Sequence, residues 1–220
     1  MIAPYLISDS IPPVHLDDTG EEILAEMREY NVGQLPVVEG KKYVGIVMME
    51  ELVGLKKLGN PLKSFQLALR KPFVQTKSHI FDVLRTALEA NVRIVPVIGE
   101  EQQYLGLISA ESCLRAFAML NSVKDPGAII ELEVLLKDYS LAEIARITED
   151  NDIKILCFYT NIDQQSLTAQ ITIKVNTVEI QPLIAAFERF EYDVKGVYND
   201  SEYTEELKDR YDALMRYLNV

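Results

Sequence analysis

The chain has 220 residues, and its 34 Asp and Glu against 22 Lys and Arg give a net charge of −12. That surplus of acid excludes a general nucleic-acid binder, because neutralising phosphates needs a surplus of Lys and Arg. Two cysteines, Cys113 and Cys157, exclude a disulfide framework and a Cys-rich zinc site.

The N-terminal MIAPYLISDSIPP has neither the basic start nor the long apolar core of a signal peptide. No uncharged apolar run approaches the roughly 18 residues of a membrane helix. A soluble, cytoplasmic protein is expected, with no membrane partner. Hydrophobic residues at 48% and charged residues at 25% suit a globular chain.

In chain order, Thr19-Gly20-Glu21-Glu22 is a capping box, and Ile23, Leu24 and Met27 follow it at helical spacing. Leu35–Val38 predicts a short buried strand, and Tyr43–Val47 a second one after the turn at 39–42. Met49–Leu58 reads as a helix stopped by Gly59-Asn60-Pro61. From Leu52 to Phe81 there is no acid, but Lys56, Lys57, Lys63, Arg70, Lys71 and Lys77 all occur. Such a stretch suits either an anion or a solvated linker balanced by nearby acids. A helix over about 78–90, strands Ile94–Ile98 and Tyr104–Ile108, and a helix over about 109–120 follow.

This second set repeats the first. EYNVGQLPVV at 29–38 and EANVRIVPVI at 89–98 share five of ten residues at an offset of 60. The same offset pairs Pro12 with Pro72, Val14 with Val74 and Leu24 with Leu84. After a one-residue insertion, Tyr43–Val47 matches Tyr104–Ile108. Two copies of a unit of about 50 residues are present.

The order of a short strand, a helix, a hydrophobic-Pro-Val strand, a Gly-hydrophobic-hydrophobic strand and a final helix resembles the cystathionine-β-synthase (CBS) domain. The tandem copies resemble a CBS pair, or Bateman module, with repeat 1 at 1–60 and repeat 2 at 61–122. The resemblance implies a regulatory rather than catalytic module. It also implies an adenosine nucleotide (AMP, ADP or ATP) or S-adenosylmethionine as effector in the cleft between repeats.

In that family the last strand runs into Gly-x-x-Thr/Ser-x-x-Asp, where the hydroxyl helps hold ribose or phosphate and the Asp accepts from ribose hydroxyls. Repeat 1 has Met48 and Glu51 at these two positions, and repeat 2 has Ser109 and Ser112. Arg93 stands where repeat 1 has Gly33, a place where similar modules often set a basic residue facing phosphate. Ser109 is also a good helix N-cap, and Arg93 also reads as a surface side chain paired to an acid. Repeat 2 is the better half-site, with Pro72, Val74, Arg93, Val95, Pro96, Ser109 and Ser112 as candidates. Val14, Leu35, Pro36, Met48 and Glu51 form a weaker second half-site.

Lys124-Asp125-Pro126-Gly127 reads as a linker. Beyond it, apolar alternation over 130–136 predicts a strand, and Ser140-Leu141-Ala142-Glu143 starts a helix ending at Asp150-Asn151-Asp152. Ile153–Thr160 and Leu167–Val175 read as strands. Thr177 is expected to cap a helix carrying Ile180, Leu183, Ile184 and Phe187, and Tyr192–Tyr198 to close the sheet.

The order βαββαβ is a ferredoxin-like split unit over 128–200, and after a CBS pair it is similar to an ACT domain. That resemblance implies self-association and, in many members, a small effector at the loop after the first strand, here Lys137–Ser140 without a Gly. The layout is also similar to that of acetoin-utilisation AcuB-type proteins. In the tail, 201–220, Leu207, Tyr211, Leu214 and Leu218 form an apolar seam on an expected helix.

Two His (His15 and His79), no Gly-x-x-x-x-Gly-Lys-Ser/Thr loop and no Gly-x-Ser-x-Gly elbow leave no catalytic constellation. The fold class expected is α/β (α+β), a CBS pair followed by a ferredoxin-like, ACT-like domain. The function expected is a non-catalytic, ligand-sensing regulator working as a homodimer on an unknown regulated protein. No cofactor and no metal are expected; an adenosine nucleotide enters only as the effector that the resemblance implies. The alternative is an assembly module with no bound nucleotide.

Overall fold

In a computed structural model the described residues are 3–65 and 67–199, so the expected tail helix lies outside them. The chain divides into two compact units, Met1–Phe117 and Ala118–Val220.

The first unit holds the repeats. In repeat 1, β1 (Val14–His15), α1 (Gly20–Glu29), β2 (Gln34–Glu39), β3 (Lys42–Met48) and α2 (Met49–Val53) make a three-stranded sheet in the order β1-β2-β3. In repeat 2, β4 (Val74–Gln75), α3 (Ile80–Ala90), β5 (Ile94–Ile98), β6 (Tyr104–Ser109) and α4 (Ala110–Leu120) repeat the plan in the order β4-β5-β6.

The registers coincide. Leu35 pairs with Val47 and Val95 with Ile108, and each hairpin carries one bulge, after Val37 and after Val97. The edges are exchanged reciprocally: Arg70, ahead of β4 in repeat 2, accepts from the Ile46 amide of β3, while Ser8, ahead of β1 in repeat 1, bonds both ways with Leu107 of β6. This reciprocity is what a two-fold relation between the repeats requires. One apolar core joins Tyr43, Ile46 and Met48 of repeat 1 to Ile94, Ile98 and Leu107 of repeat 2. A second core packs Ile23 and Met27 of α1 on Leu35, Val37 and Val47.

The Thr19 capping box forms: its hydroxyl accepts from Glu22 N, and Glu22 accepts from Thr19 N. Helix α3 begins with an unexpected analogue, His79 with Asp82. Two helix boundaries differ from the sequence reading. Helix α2 ends at Val53, not Leu58, because the chain turns at Gly54 and Lys57 takes a positive φ of 68°. The carbonyls of Leu58 and Asn60 then accept from the amides of Glu21 and Gly20, donors that α1 cannot satisfy within its own first turn.

The second unit is β7 (Ala128–Leu135), α5 (Leu141–Glu149), β8 (Ile155–Asp163), β9 (Thr168–Val175), α6 (Gln181–Arg189) and β10 (Asp193–Asn199). Its sheet is antiparallel in the order β10-β7-β9-β8, the βαββαβ arrangement. Ala128, Ile130, Leu132, Ile171, Ile173 and Val175 face the helices and pack on Ile144, Ile147, Leu183 and Phe187. The alternate residues, among them Ile129, Glu131, Thr172 and Lys174, lie on the other face and are half-buried.

Ser140 caps α5 by accepting from Glu143 N, but Glu143 does not reach back; its carboxylate receives the Tyr192 hydroxyl at 3.1 Å. Helix α6 starts at Gln181 rather than at Thr177, whose hydroxyl accepts from Glu179 N in the preceding turn. Pro182 sets that start, since a proline in the first helical turn loses no hydrogen bond.

Candidate ligand site

The strand-to-helix corner after β6 gathers three polar candidates. Ile94 and Ser109 are paired across β5 and β6, and Ala110 N donates to Arg93 O at 2.8 Å. Arg93 therefore sits beside the first residue of α4 with its side chain exposed. The Ser109 hydroxyl accepts from Ser112 N at 3.1 Å, so it does cap α4. It also lies 3.0 Å from the Ser112 hydroxyl. Both serines are half-buried. An 11-residue helix thus opens with two hydroxyls at its electropositive end, while the Arg93 side chain, whose carbonyl sits beside them, lines the groove between α3 and α4.

The same corner in repeat 1 is built from the same backbone and different chemistry. Met49 N donates to Gly33 O at 2.9 Å, but Gly33 brings no cation. Met48 brings no hydroxyl, and the Glu51 carboxylate accepts from Met48 N at 2.9 Å. A carboxylate occupies the helix start where an anion would otherwise sit.

The apolar candidates divide. Val14, Val74, Leu35, Pro36, Val95 and Pro96 are buried. Val95 shares a cavity of 530 Å³ with Leu84, Leu88, Ile108, Leu114 and Phe117, between α3 and α4. Pro96, the next residue of β5, faces the other side of the sheet, because successive strand residues alternate. The structure brings Ser109 and Ser112 together with the Arg93 backbone beside them, and separates Val95, which shares the groove with the Arg93 side chain, from Pro96. Pro72 is half-buried, and its carbonyl accepts from the Tyr43 hydroxyl at 2.8 Å.

Two cations of the basic stretch have local duties. Lys63 pairs with Asp17, and Arg70 Nη1 donates to Ala90 O at 2.9 Å at the end of α3. The aromatic pair Tyr43 and Tyr104 stacks across the repeats, with centroids 6.5 Å apart. Only the repeat alignment, which equates the two tyrosines after its one-residue insertion, could have signalled it.

The CBS-domain family model matches residues 5–57 and 66–119. The chain carries a tandem pair of CBS domains. Among solved structures, a CBS domain pair/ACT domain protein from Thermotoga maritima is similar at 26% identity. It covers 54% of this chain and 98% of its own, with a TM-score of 0.50.

The structure of CBSX2 in complex with AMP is similar at 21% identity over 54% of this chain and 96% of its own, with a TM-score of 0.47. The uncharacterised protein MJ0188 of Methanocaldococcus jannaschii is 27% identical over 140 residues, 63% of this chain. The chain spans about half the length of that relative. The unit after the CBS pair has the ferredoxin-like topology of an ACT-like domain. No helix among the described residues is long and apolar enough to cross a membrane.

Proposed function

We propose that the CBS pair is a non-catalytic, cytoplasmic sensor of an adenosine nucleotide, whose phosphates lie at the start of α4 against Arg93, Ser109 and Ser112. One observation carries this reading: the two strand-to-helix corners are alike in backbone, yet only the second offers a cation and free hydroxyl capacity. Helix N-termini favour phosphate through their unpaired amides and dipole. Of the apolar candidates, Pro72, Val74 and Pro96 remain the proposed surroundings of the base, and Val95, on the other face of β5, is no longer among them. The repeat 1 residues Val14, Leu35, Pro36, Met48 and Glu51 form the weaker half-site.

Titration calorimetry with AMP, ATP and S-adenosylmethionine tests it. A charge-assisted contact is worth roughly 1.5–3 kcal/mol, so Arg93→Ala should weaken nucleotide binding about ten- to a hundredfold. Met48→Ala should change it little. A silent Arg93→Ala, or loss of binding on changing Met48 or Glu51, would place the ligand in the other half.

The groove between α3 and α4 favours a second element of the reading, homodimerisation. Leu84, Leu88, Leu114 and Phe117 line it, with Leu88 80% and Leu114 69% exposed. The repeat 1 equivalents are Leu24, Arg28, Val53 and Lys56, so the unbroken apolar face belongs to repeat 2 alone. A second copy offers the same face in return, as a two-fold interface needs. If no nucleotide binds, this face leaves the protein as an assembly module. Light scattering should give a dimer for the parent chain and 25.0 kDa, the mass of one chain, for Leu88→Glu. A monomeric parent would overturn it.

A further inference from the structure

The face of the second unit's sheet turned away from its helices carries a cavity of 280 Å³ that the CBS reading does not use. The strand registers set Cys157, Lys174, Ile129 and Tyr198 in one row across β8, β9, β7 and β10. Tyr159 and Thr172 form part of the next row. Residues 121–127 run along the cavity, and Asn121, Val123 and Gly127 complete its lining. Gly127 is fixed as glycine by that course: a Cβ there would lie 1.9 Å from the Val175 carbonyl oxygen.

Lys174 decides what the cavity suits. Its half-buried ammonium donates to Ser122 O at 2.6 Å and reaches Val123 O at 3.4 Å. Among the described residues no carboxylate lies within ion-pair distance of it. Glu131, on the same face, has its carboxylate 3.4 Å from the Tyr198 hydroxyl. Among the described residues no acid lines the cavity. Among the described residues, a partly desolvated cation held by neutral carbonyls is therefore uncompensated, and its third ammonium proton has no partner, in a chain with twelve more acids than bases. An anion within the cavity would supply both charge and acceptor.

Around the cation stand a hydroxyl from Thr172, phenol rings from Tyr159 and Tyr198, and the apolar side chains of Ile129 and Val123. The volume is just under the range typical of small-molecule sites.

We propose that this cavity binds a small organic acid with a planar or apolar body, its carboxylate on Lys174 and Thr172 and its body against the tyrosines. The site lies at the start of β7, at the opposite end of that strand from the Lys137–Ser140 loop. It does not depend on the nucleotide reading of the CBS pair.

Cys157 provides a reporter inside the cavity: its thiol donates to Asn121 Oδ1 at 3.2 Å, and a bound acid would cover it. Alkylation of the full chain by iodoacetamide, followed by mass spectrometry of the Cys157 peptide, is run with acetate, butyrate, phenylacetate and phenethylamine. Buried Cys113 serves as the internal measure of global opening. Phenylacetate should slow Cys157 alkylation at least fivefold without changing Cys113, and phenethylamine, of the same shape and opposite charge, should not. Lys174→Met should abolish the protection and Lys174→Arg should keep it. Protection by none of the three acids, equal protection by the amine, or protection that survives in Lys174→Met would each overturn the proposal.

Discussion

Tyr43 and Tyr104 occupy the same position in the two repeats and stack on each other, but their hydroxyls fare differently. Tyr43 donates to the Pro72 carbonyl, whereas the buried Tyr104 hydroxyl has no hydrogen-bond partner among the described residues. A net hydrogen bond is worth about 1 kcal/mol, and an unmet buried polar atom costs a comparable amount. Tyr43→Phe should therefore destabilise by about 1 kcal/mol in urea unfolding, while Tyr104→Phe should be neutral or stabilising. Equal losses would refute the asymmetry.

Burial also pushes both phenols well above the ordinary tyrosine value of 10.0, and for Tyr43 the neighbouring phenol adds to it. Below pH 10 both rings are neutral folded and unfolded, and they add no pH dependence. Above it the unfolded chain releases protons that the folded chain keeps, so stability falls as pH rises. Tyr104→Phe should flatten this alkaline loss when unfolding is followed from pH 8 to pH 11.

At the scale of elements, Gly45 and Gly106 mark where an extended segment crosses each hairpin. A Cβ on Gly45 would stand 2.8 Å from the Arg70 carbonyl oxygen; one on Gly106 would stand 2.5 Å from Ile7 Cγ2 and 3.2 Å from Ser8 O. The first obstacle is backbone and the second chiefly a side-chain methyl, which can turn aside. Gly45→Ala should lose more stability than Gly106→Ala in thermal melts, with overpacking of this kind costing about 1–3 kcal/mol.

Much at this level was readable beforehand. The repeat placed both hairpins, and the Thr19 box and the alternation over Ala169–Val175 placed α1 and β9, because each is a local signal. Helix α2 was misjudged because Leu52, Leu55 and Leu58 keep helical spacing while the chain past Val53 is drawn off to satisfy α1. That demand comes from Gly20 and Glu21, almost forty positions away along the chain. The half-formed box at Ser140 has the same origin, since Tyr192 claims Glu143 from across the unit. At the site, Ser109 and Ser112 were legible as sequence neighbours at one helix start, and Arg93 only through its alignment with Gly33. The division of Val95 from Pro96 follows only once β5 is known to be covered on both faces.

At the scale of the whole molecule, two features meet on α4. Its first turn carries Ser109 and Ser112, and its flank supplies Cys113, Leu114 and Phe117 to the apolar groove. Arg93 and Val95, at the head of β5, also line that groove. A nucleotide at the helix start and a second copy on the helix flank would act on the same short segment, about one to two turns apart. Coupling between two such sites is reciprocal and typically amounts to 1–3 kcal/mol.

Leu114→Gln places a neutral polar group in the groove, leaves the serines in place and adds no charge that could pair with Arg93, which lines the same groove. It should yield a monomer whose dissociation constant for AMP differs from the dimer's by fivefold or more, about 1 kcal/mol. Linkage then demands that saturating AMP shift the parent's dimerisation constant by a corresponding factor, measurable by sedimentation equilibrium. Identical AMP affinities in monomer and dimer would mean that the helix carries two independent sites, and regulation would have to leave the CBS pair by another surface.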